Sequence, residues 1–452
     1  IRGTEEDLDR MHHPDEARAT VLRHARVLPA ESAPLREAAW RVLAEDVRAT
    51  EDHPPFPAST MDGYAVVAAD GSPWREVIGV QTAGRPLDVE VTPGTAVRIT
   101  TGAPVPRGAD AVVRVENTEP ADDHVIVHQS EVAAGENIRP VGVDLRRGDL
   151  LLTAGTALGP AEIGLVAGLG LNPISVRRRP RVSVLSTGDE LVEPGEPAGP
   201  GQIRDSNRFS LIAALQAEGA EIVWAGKGAD ERAALDALVR ERLAESDVVI
   251  TSGGVSMGET DYIKAILGEL ATVHFRRVFM KPGKPLNFAT AGDTLIFALP
   301  GNPVSALVGF EIFIRPALAT LAGRAVIDRP RVPVTLAHDT PPTDRIEYQR
   351  AIVRVDGDGR LVAVTTGSQA SSRLASIVKD AVHAAIAPSV SLFPKVPTMK
   401  PGIIKESRTS IRERSVERIL IFANRHSGAF NRAARRAPLA HFARQAGLEA
   451  EI

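Results

Sequence analysis

Between residues 180 and 321 the chain repeats one local pattern, a short apolar run ending in a turn and followed by a run with helical periodicity. Strand-like runs at 182–186, 221–225, 247–251, 276–279 and 294–298 alternate with helical runs at 209–218, 231–245, 261–270 and 305–321. Such alternation implies crossover connections, hence a parallel sheet with helices on both faces. A sheet of this kind binds ligands outside the carboxyl ends of its strands, where loops turn into helices. Three loops fit that description: Thr187-Gly188-Asp189-Glu190, Ser252-Gly253-Gly254-Val255-Ser256-Met257-Gly258, and Pro300-Gly301-Asn302-Pro303. Together they point to one pocket shaped for an anionic ligand.

The flanking sequence has other periodicities. Residues 5–49 read as helical, with apolar positions Leu35, Ala38, Ala39, Val42 and Leu43 at helical spacing. Pro54-Pro55-Phe56-Pro57 closes that pattern, because proline fixes φ and disfavours helix in the residue before it. Residues 50–143 alternate β-branched runs with Gly and Pro turns and read as a β module. A helix with proline in its first turn is expected at 160–167. Runs at 330–334, 350–355 and 359–364 read as a second β module. The expected organisation is multidomain α/β plus β. A helical and extended domain spans 5–49 and 144–179, with the β module 50–143 inserted in it. The α/β domain spans 180–327 and a C-terminal β module 328–376. The atypical tail 377–452 carries 13 Lys/Arg against 6 Asp/Glu.

Composition narrows the chemistry. The absence of Cys excludes disulfides, thiolate metal sites and Cys nucleophiles. The net charge of −4 argues against non-specific nucleic-acid binding. No apolar run reads as approaching the roughly 20 residues of a membrane span, and no signal-peptide pattern is read at the start. A cytoplasmic location without membrane or nucleic-acid partners is the expectation.

The loops carry the candidate chemistry. Glycines 253 and 254 let successive N–H groups converge into a nest that fits a phosphate, reinforced by the following helix N-terminus; alone, the loop also reads as an ordinary strand–helix connection. Asp189 and Glu190 put adjacent carboxylates at a buried strand end, costly unless a hard cation lies between them. Mg²⁺ takes one or two carboxylates with phosphate oxygens and water. Asp62, Asp144, Asp230 and Asp261 are further loop carboxylates. Each of them also reads as a cap or turn residue. Lys281-Pro282-Gly283-Lys284-Pro285 holds two ammonium groups three residues apart, suited to an oxyanion or phosphate, or else to a solvated surface turn. Met61-Asp62-Gly63-Tyr64 and Thr101-Gly102-Ala103-Pro104 read locally as turns.

Taken in order, the motifs resemble the molybdopterin molybdenumtransferase (molybdenum insertase) family, MoeA in bacteria and the insertase part of gephyrin. The resemblance runs from about Leu35 to about Ser376. It rests on Pro55-Phe56-Pro57-Ala58-Ser59-Thr60-Met61-Asp62-Gly63-Tyr64-Ala65 read in its family form, Thr101-Gly102-Ala103-Pro104, Ser186-Thr187-Gly188-Asp189-Glu190-Leu191 and Asp205-Ser206-Asn207-Arg208. It rests equally on the 252–258 and 281–285 loops, Leu299-Pro300-Gly301-Asn302-Pro303 and Gly367-Ser368-Gln369-Ala370-Ser371-Ser372-Arg373. The resemblance implies an elongated four-domain protomer, a homodimer, and a pterin-binding α/β domain. It implies a transferase that converts adenylylated molybdopterin and molybdate to molybdenum cofactor and AMP, with Mg²⁺ or a similar cation. Other proteins of that biosynthetic pathway, the molybdopterin adenylyltransferase among them, are the partners it implies.

Carried over residue by residue, the family pattern makes Asp62, Thr101, Glu190, Asp230 and Asp261 catalytic, with Asp62, Glu190 and Asp261 on the cation. Asp62 and Thr101 would complete a site on the partner subunit's α/β domain. Thr187, Gly188, Asp189, Asp205, Asn207, Ser252, Gly253, Gly254, Pro300, Gly301 and Asn302 would hold the pterin and its phosphate. Lys281, Lys284 and Ser305, with Arg350 and Ser371, would hold molybdate. Two alternatives are a molybdopterin adenylyltransferase, which shares the α/β domain, and a non-enzymatic scaffold of the same fold. Met61-Asp62-Gly63-Tyr64 and the 281–285 loop favour the insertase.

Overall fold

Six strands form the central sheet in the order Glu221–Lys227, Arg181–Ser186, Val248–Ser252, Thr294–Leu299, Asn287–Ala291, Thr272–Phe275. This is a computed structural model, and it describes residues 8, 10–228, 231–253, 262–339, 343–378, 384–389 and 418–421. The chain divides into two units, residues 1–31, 40–42 and 177–452 in one and 32–39 and 43–176 in the other.

In the first unit the leading four strands of the sheet are parallel. The last two are antiparallel, which corrects the all-parallel expectation. Gly292-Asp293 makes a two-residue turn between Asn287–Ala291 and Thr294–Leu299, with Gly292 at φ 59°. Such short loops join antiparallel neighbours, whereas parallel ones need a crossover. The strand expected at 276–279 is present as the short Arg277–Val278, which pairs with Met11–His12 outside this sheet, while the edge strand of the sheet lies earlier, at Thr272–Phe275.

Strand side chains alternate between faces, and helices cover both. Val182, Val184, Ile250 and Phe297 pack with Leu211 and Leu215 of helix Ser206–Ala217. Leu185, Ile296 and Ala298 pack with Leu235 and Val239 of helix Arg232–Glu245 and with Ile263 and Ile266 of helix Tyr262–Leu270. The order places the first strand, Arg181–Ser186, between the second and third strands of the parallel set. The chain therefore reverses its direction of sheet growth there, and the carboxyl ends of Arg181–Ser186 and Val248–Ser252 flank the resulting crevice.

The stretch Pro303–Leu321 is helical over 19 residues and is long and apolar enough to cross a membrane, contrary to the sequence expectation. It is 89% buried within the fold, which makes it a core helix. Glu311 and Arg315 lie inside it, paired with each other, and Arg329 Nε donates to Glu311 Oε1 at 2.7 Å. Pro316 lacks an N–H, and its ring crowds the carbonyl four residues back. A π turn at Phe310–Ile314 widens the helix just there, with the Arg315 N–H reaching the Phe310 carbonyl.

The expected helix across 5–49 is mostly absent among the described residues. Helix Pro14–His24 is followed by extended chain, including strand Ala30–Ala33, and by the short helix Leu35–Ala38. Pro29 and Pro34 account for the difference, because each biases its predecessor toward extended backbone. Ala17 and Val21 of the first helix are fully buried in the α/β core rather than in a separate helical domain. The ring of His24, at the end of that helix, lies 4.1 Å from the ring of His274. Burial, with the nearby His24 and Arg23, pushes the His274 pKa down from 6.5 to about 4. The folded protein therefore disfavours the proton that the unfolded chain accepts. Stability should be fully present above pH 6.5 and decline as the pH falls toward about 4. Urea midpoints across that window should fall less steeply for His274→Phe than for wild type; parallel slopes would remove His274 from the acid response.

A C-terminal sheet completes the first unit, in the order Arg331–Pro333, Arg418–Ile421, Ala384–Ser389, Ile346–Val355, Leu361–Thr365, Thr335–Leu336. Two of these strands come from beyond residue 376, so the β module draws on the segment read from sequence as a tail. Met280–Lys281 pairs in parallel with Ile346–Glu347 at the start of the long strand.

In the second unit a six-stranded sheet runs Ala111–Arg114, Gly63–Val66, Thr95–Ile99, Trp74–Gln81, His124–Val127, Thr118–Ala121. Alternation again sorts its core, with Tyr64, Val66, Val113 and Val125 in one cluster and Ala65, Val97, Ile99 and Val112 in the other. Helix Pro160–Gly168 packs in a separate cluster with Ala38, Leu43, Leu158 and Val176.

Candidate functional site

The three strand-end loops of the α/β sheet meet. The Thr187 N–H donates to the Ser252 carbonyl at 3.0 Å, and the Gly253 N–H donates to the Leu299 carbonyl at 3.2 Å. These bonds carry the ladder beyond the strand ends and hold the loops side by side. Asn207, in the first turn of helix Ser206–Ala217, ties two of them together: its Nδ2 donates to Ser252 Oγ at 2.8 Å and to the Gly301 carbonyl at 2.7 Å. Gly253 sits at φ 92°, and a Cβ there would stand 2.3 Å from the Thr187 carbonyl oxygen. Only glycine fits that approach.

Three hydroxyls at these strand ends, Ser186 Oγ, Thr187 Oγ1 and Thr251 Oγ1, are buried and have no hydrogen-bond partner among the described residues. A buried hydroxyl left unpaired costs about 1–3 kcal/mol. The three lie at the carboxyl ends of two neighbouring strands, Thr251 on the Leu185 face of the sheet and Ser186 on the opposite face, and unpaired hydroxyls at such strand ends suit a site for a polar ligand. Ser186 and Thr251 were not singled out from sequence. The signal available there was a hydroxyl residue at or next to the last position of an apolar strand, just before a glycine loop.

The remaining loop residues divide by burial. Asp189 and Glu190 are both exposed, so the argument from charge at a buried strand end does not apply to them. The Glu190 carboxylate folds back over Gly188. Asp205 is buried and caps helix Ser206–Ala217 by accepting from the Arg208 N–H at 3.1 Å. Arg208 in turn donates to both Glu193 carboxylate oxygens, at 2.6 and 2.7 Å. Pro300 is buried, whereas Gly301 and Asn302 are exposed at the start of helix Pro303–Gly309. Asp230, Gly254 and Asp261 lie outside the described residues, as do residues 255–258 of the same loop.

A second cluster forms around the first turn of helix Pro303–Gly309. The Val304 N–H donates to the Ser371 carbonyl at 3.0 Å, so the 367–373 loop lies against the helix start. Ser305 is buried next to it. The Lys281–Lys284 loop approaches the same turn, since a Cβ on Gly283 would come within 3.8 Å of the Ser305 carbonyl. Lys281 and Lys284 are both exposed, and Lys281 Nζ lies 3.2 Å from Glu347 Oε1. Arg350 is 1% exposed. Its guanidinium donates to the carbonyls of Ser368 at 3.0 Å and Ala370 at 3.2 Å. Burial, with the nearby Arg373 charge, lowers the Arg350 pKa. The structure thus places Arg350 as a brace of the 368–370 loop. Glu347, a carboxylate within an apolar strand, was not singled out from sequence.

In the second unit Asp62 and Thr101 form a compact pair. Asp62 Oδ1 accepts from the Thr101 N–H at 2.6 Å and from Thr101 Oγ1 at 2.8 Å. These bonds, with Arg98 nearby, hold the exposed Asp62 carboxyl below the usual carboxylate range. Asp62 is therefore a fixed anion at neutral pH.

A Mg²⁺ site was expected on Asp62, Glu190 and Asp261. Among the described residues no group of three or more His, Asp or Glu side chains converges to hold a metal. The described part of the chain therefore makes no metal cage of its own, although one carboxylate, Glu190, stands at the strand-end site.

Comparison with known proteins agrees with this geometry. Residues 12–170 match the MoeA N-terminal region (domain I and II), and residues 183–320 match a probable molybdopterin binding domain. The molybdopterin molybdenumtransferase of Haemophilus influenzae is 37% identical over 349 residues, 76% of this chain and 86% of that protein. Molybdopterin molybdenumtransferase 2 of Mycobacterium tuberculosis is 41% identical over 337 residues, 71% of this chain and 82% of that protein. Among solved structures, the molybdopterin biosynthesis MoeA protein of Pyrococcus horikoshii superposes with a TM-score of 0.70 at 30% identity, covering 84% of this chain and 95% of that one. With residues 12–170 and 183–320 matched by these two family models, and with relatives 37% and 41% identical over more than four fifths of their own length, the chain belongs to the molybdopterin molybdenumtransferase family.

Proposed function

We propose that this molybdenum-inserting transferase of molybdenum cofactor biosynthesis takes adenylylated molybdopterin and molybdate and yields molybdenum cofactor and AMP. The observation that carries this reading is the pair of adjoining clusters in one unit. Partnerless buried hydroxyls and the close approach of Gly253 to the Thr187 carbonyl stand at the strand ends, and two lysines with Ser305 and Ser371 stand at the neighbouring helix start.

In this reading the Gly253 loop and Thr187 take the phosphate-bearing part of the pterin, and Asn207 keeps the loops in register. The lysines and the helix N-terminus lower the repulsion between the molybdate dianion and the bound phosphate. Arg350 positions the 368–370 loop. Mg²⁺ would neutralise phosphate charge, held by Glu190 and by substrate oxygens, since Mg²⁺ keeps much of its shell from phosphate and water. The adenylyltransferase alternative shares the α/β sheet but gives no role to the Lys281–Lys284 loop or to the matched N-terminal region. Turnover of adenylylated molybdopterin by purified protein, with and without molybdate, tests the proposal. AMP release and cofactor formation that require molybdate are expected; AMP release indifferent to molybdate would refute insertion.

We further propose a cytoplasmic homodimer, served by the pathway's adenylyltransferase, in which Asp62 and Thr101 of one subunit complete the site of the other. Asp62→Ala should slow AMP release while leaving pterin binding nearly intact. Mixing Asp62→Ala with Glu190→Ala protein should restore part of the activity, because one hybrid site is intact at both positions. Verified heterodimers that stay inactive would count against a shared site.

A further inference from the structure

Glu347 is a carboxylate where burial disfavours one. It is 4% exposed, on the strand Ile346–Val355, and its backbone pairs with Lys281 in the parallel register. Its Oε1 lies 3.2 Å from Lys281 Nζ, while the Lys281 side chain remains 48% exposed. Arg350 is three residues along the strand and senses the Glu347 charge, and Arg373 in turn acts on Arg350. A buried carboxylate is retained only with a partner. Here the partner is one of the two lysines proposed to meet an incoming dianion.

We infer that Glu347 is a positioning and specificity-determining residue for the oxyanion: it fixes the Lys281 ammonium in register and offsets its charge, so that the site takes up a dianion reversibly. This rests on the reading of Lys281 as part of the molybdate site. Two consequences follow from the charges. An oxyanion reaching Lys281 meets an ammonium already shared with a carboxylate, which weakens attraction for any anion on charge alone. Discrimination then shifts to the shape-dependent contacts around Ser305 and the 367–373 loop. Removing the Glu347 charge should strengthen binding of both anions, and more so for the one that the shape-dependent contacts fit less well.

The test uses the full chain and two probes, molybdate and sulfate, in equilibrium dialysis with elemental analysis. In Glu347→Gln, an isosteric change, the half-saturating concentration of both anions should fall by about fivefold or more at low salt. The ratio of molybdate to sulfate affinity should fall as well. Glu347→Asp, which keeps the charge, should stay near wild type. In a Lys281→Gln background the Glu347→Gln effect should vanish, because the two act as one unit. A folded Glu347→Gln protein with unchanged or weaker anion binding overturns the inference, as does an aspartate variant that behaves like the glutamine one. If Glu347→Gln does not fold, the aspartate variant decides alone: a changed sulfate affinity overturns the inference, and a retained one supports it. A wild-type protein that fails to bind molybdate at all would instead refute the site assignment on which the inference rests.

Discussion

Gly253→Val is expected to lose both stability and ligand. Two effects act at this residue. Its φ of 92° is one that a β-branched residue avoids, and a Cβ would stand 2.3 Å from the Thr187 carbonyl oxygen. Backbone strain of this kind costs about 1–3 kcal/mol, and the clash with a backbone atom adds to it, since neither strand end is free to move. Urea denaturation should therefore show a loss of about 3 kcal/mol or more. In whatever fraction folds, binding of adenylylated molybdopterin should be lost, because the Thr187 and Gly253 loops must part to admit the side chain. Gly292→Ala separates the two effects. Gly292 also has positive φ, at 59°, but nothing lies within 4 Å of its would-be Cβ. That variant should show modest destabilisation of about 1–2 kcal/mol and normal ligand binding. A folded Gly253→Val protein with wild-type affinity would reduce this loop to a connection between strand and helix.

The contrast between these two glycines shows what was legible in the chain and what was not. Continuous apolar runs marked the strands of the α/β unit and a 3.6-residue spacing its helices, because strands buried on both sheet faces are apolar throughout. The Gly292-Asp293 turn was also legible in principle, yet the alternation of strands with helices outweighed it, and the antiparallel edge was missed. Helix across 5–49 failed for a similar reason. Apolar spacing there suits a helix, but Pro29 and Pro34 break it into extended chain and one short helical turn.

The loops were legible as loops, but their mutual geometry was not. Asn207 and Gly301 are 94 residues apart, and no local pattern announces their hydrogen bond. The family resemblance put Arg350 at the oxyanion, and the fold shows one face of its guanidinium bracing the 368–370 loop while its Nε is left without a partner among the described residues. Glu347 was invisible for the opposite reason: a single charge in a strand reads as a solvent-facing position until the tertiary fold covers it. Asp189 and Glu190 show the converse error, because adjacency to an apolar strand does not imply burial of the loop that follows.

The two lysines of the 281–285 loop carry the other large expectation. Molybdate is a dianion and must rest near a phosphate-bearing pterin. Both lysines are exposed on a loop that lies against the first turn of helix Pro303–Gly309, whose dipole favours an anion although the Val304 and Ala306 N–H groups are already bonded to the Ser371 and Asn302 carbonyls. Each charge-assisted hydrogen bond lost is worth about 1.5–3 kcal/mol, less where solvent reaches it. The double variant Lys281→Gln with Lys284→Gln should therefore raise the molybdate concentration for half-maximal turnover by at least about tenfold, which corresponds to 1.4 kcal/mol. Pterin binding should change less, because its proposed contacts lie at the strand ends. The difference between variant and wild type should shrink in high salt, where exposed charges are screened. The single variants are expected to be unequal: Lys281 is held by Glu347, so its replacement also leaves a buried carboxylate without its cation and should destabilise the fold, whereas Lys284→Gln should act on molybdate alone. If the double variant keeps the wild-type molybdate dependence, the loop is a solvated turn. The oxyanion would then have to rest on Ser305, Ser371 and Arg350, whose Nε is left without a partner among the described residues.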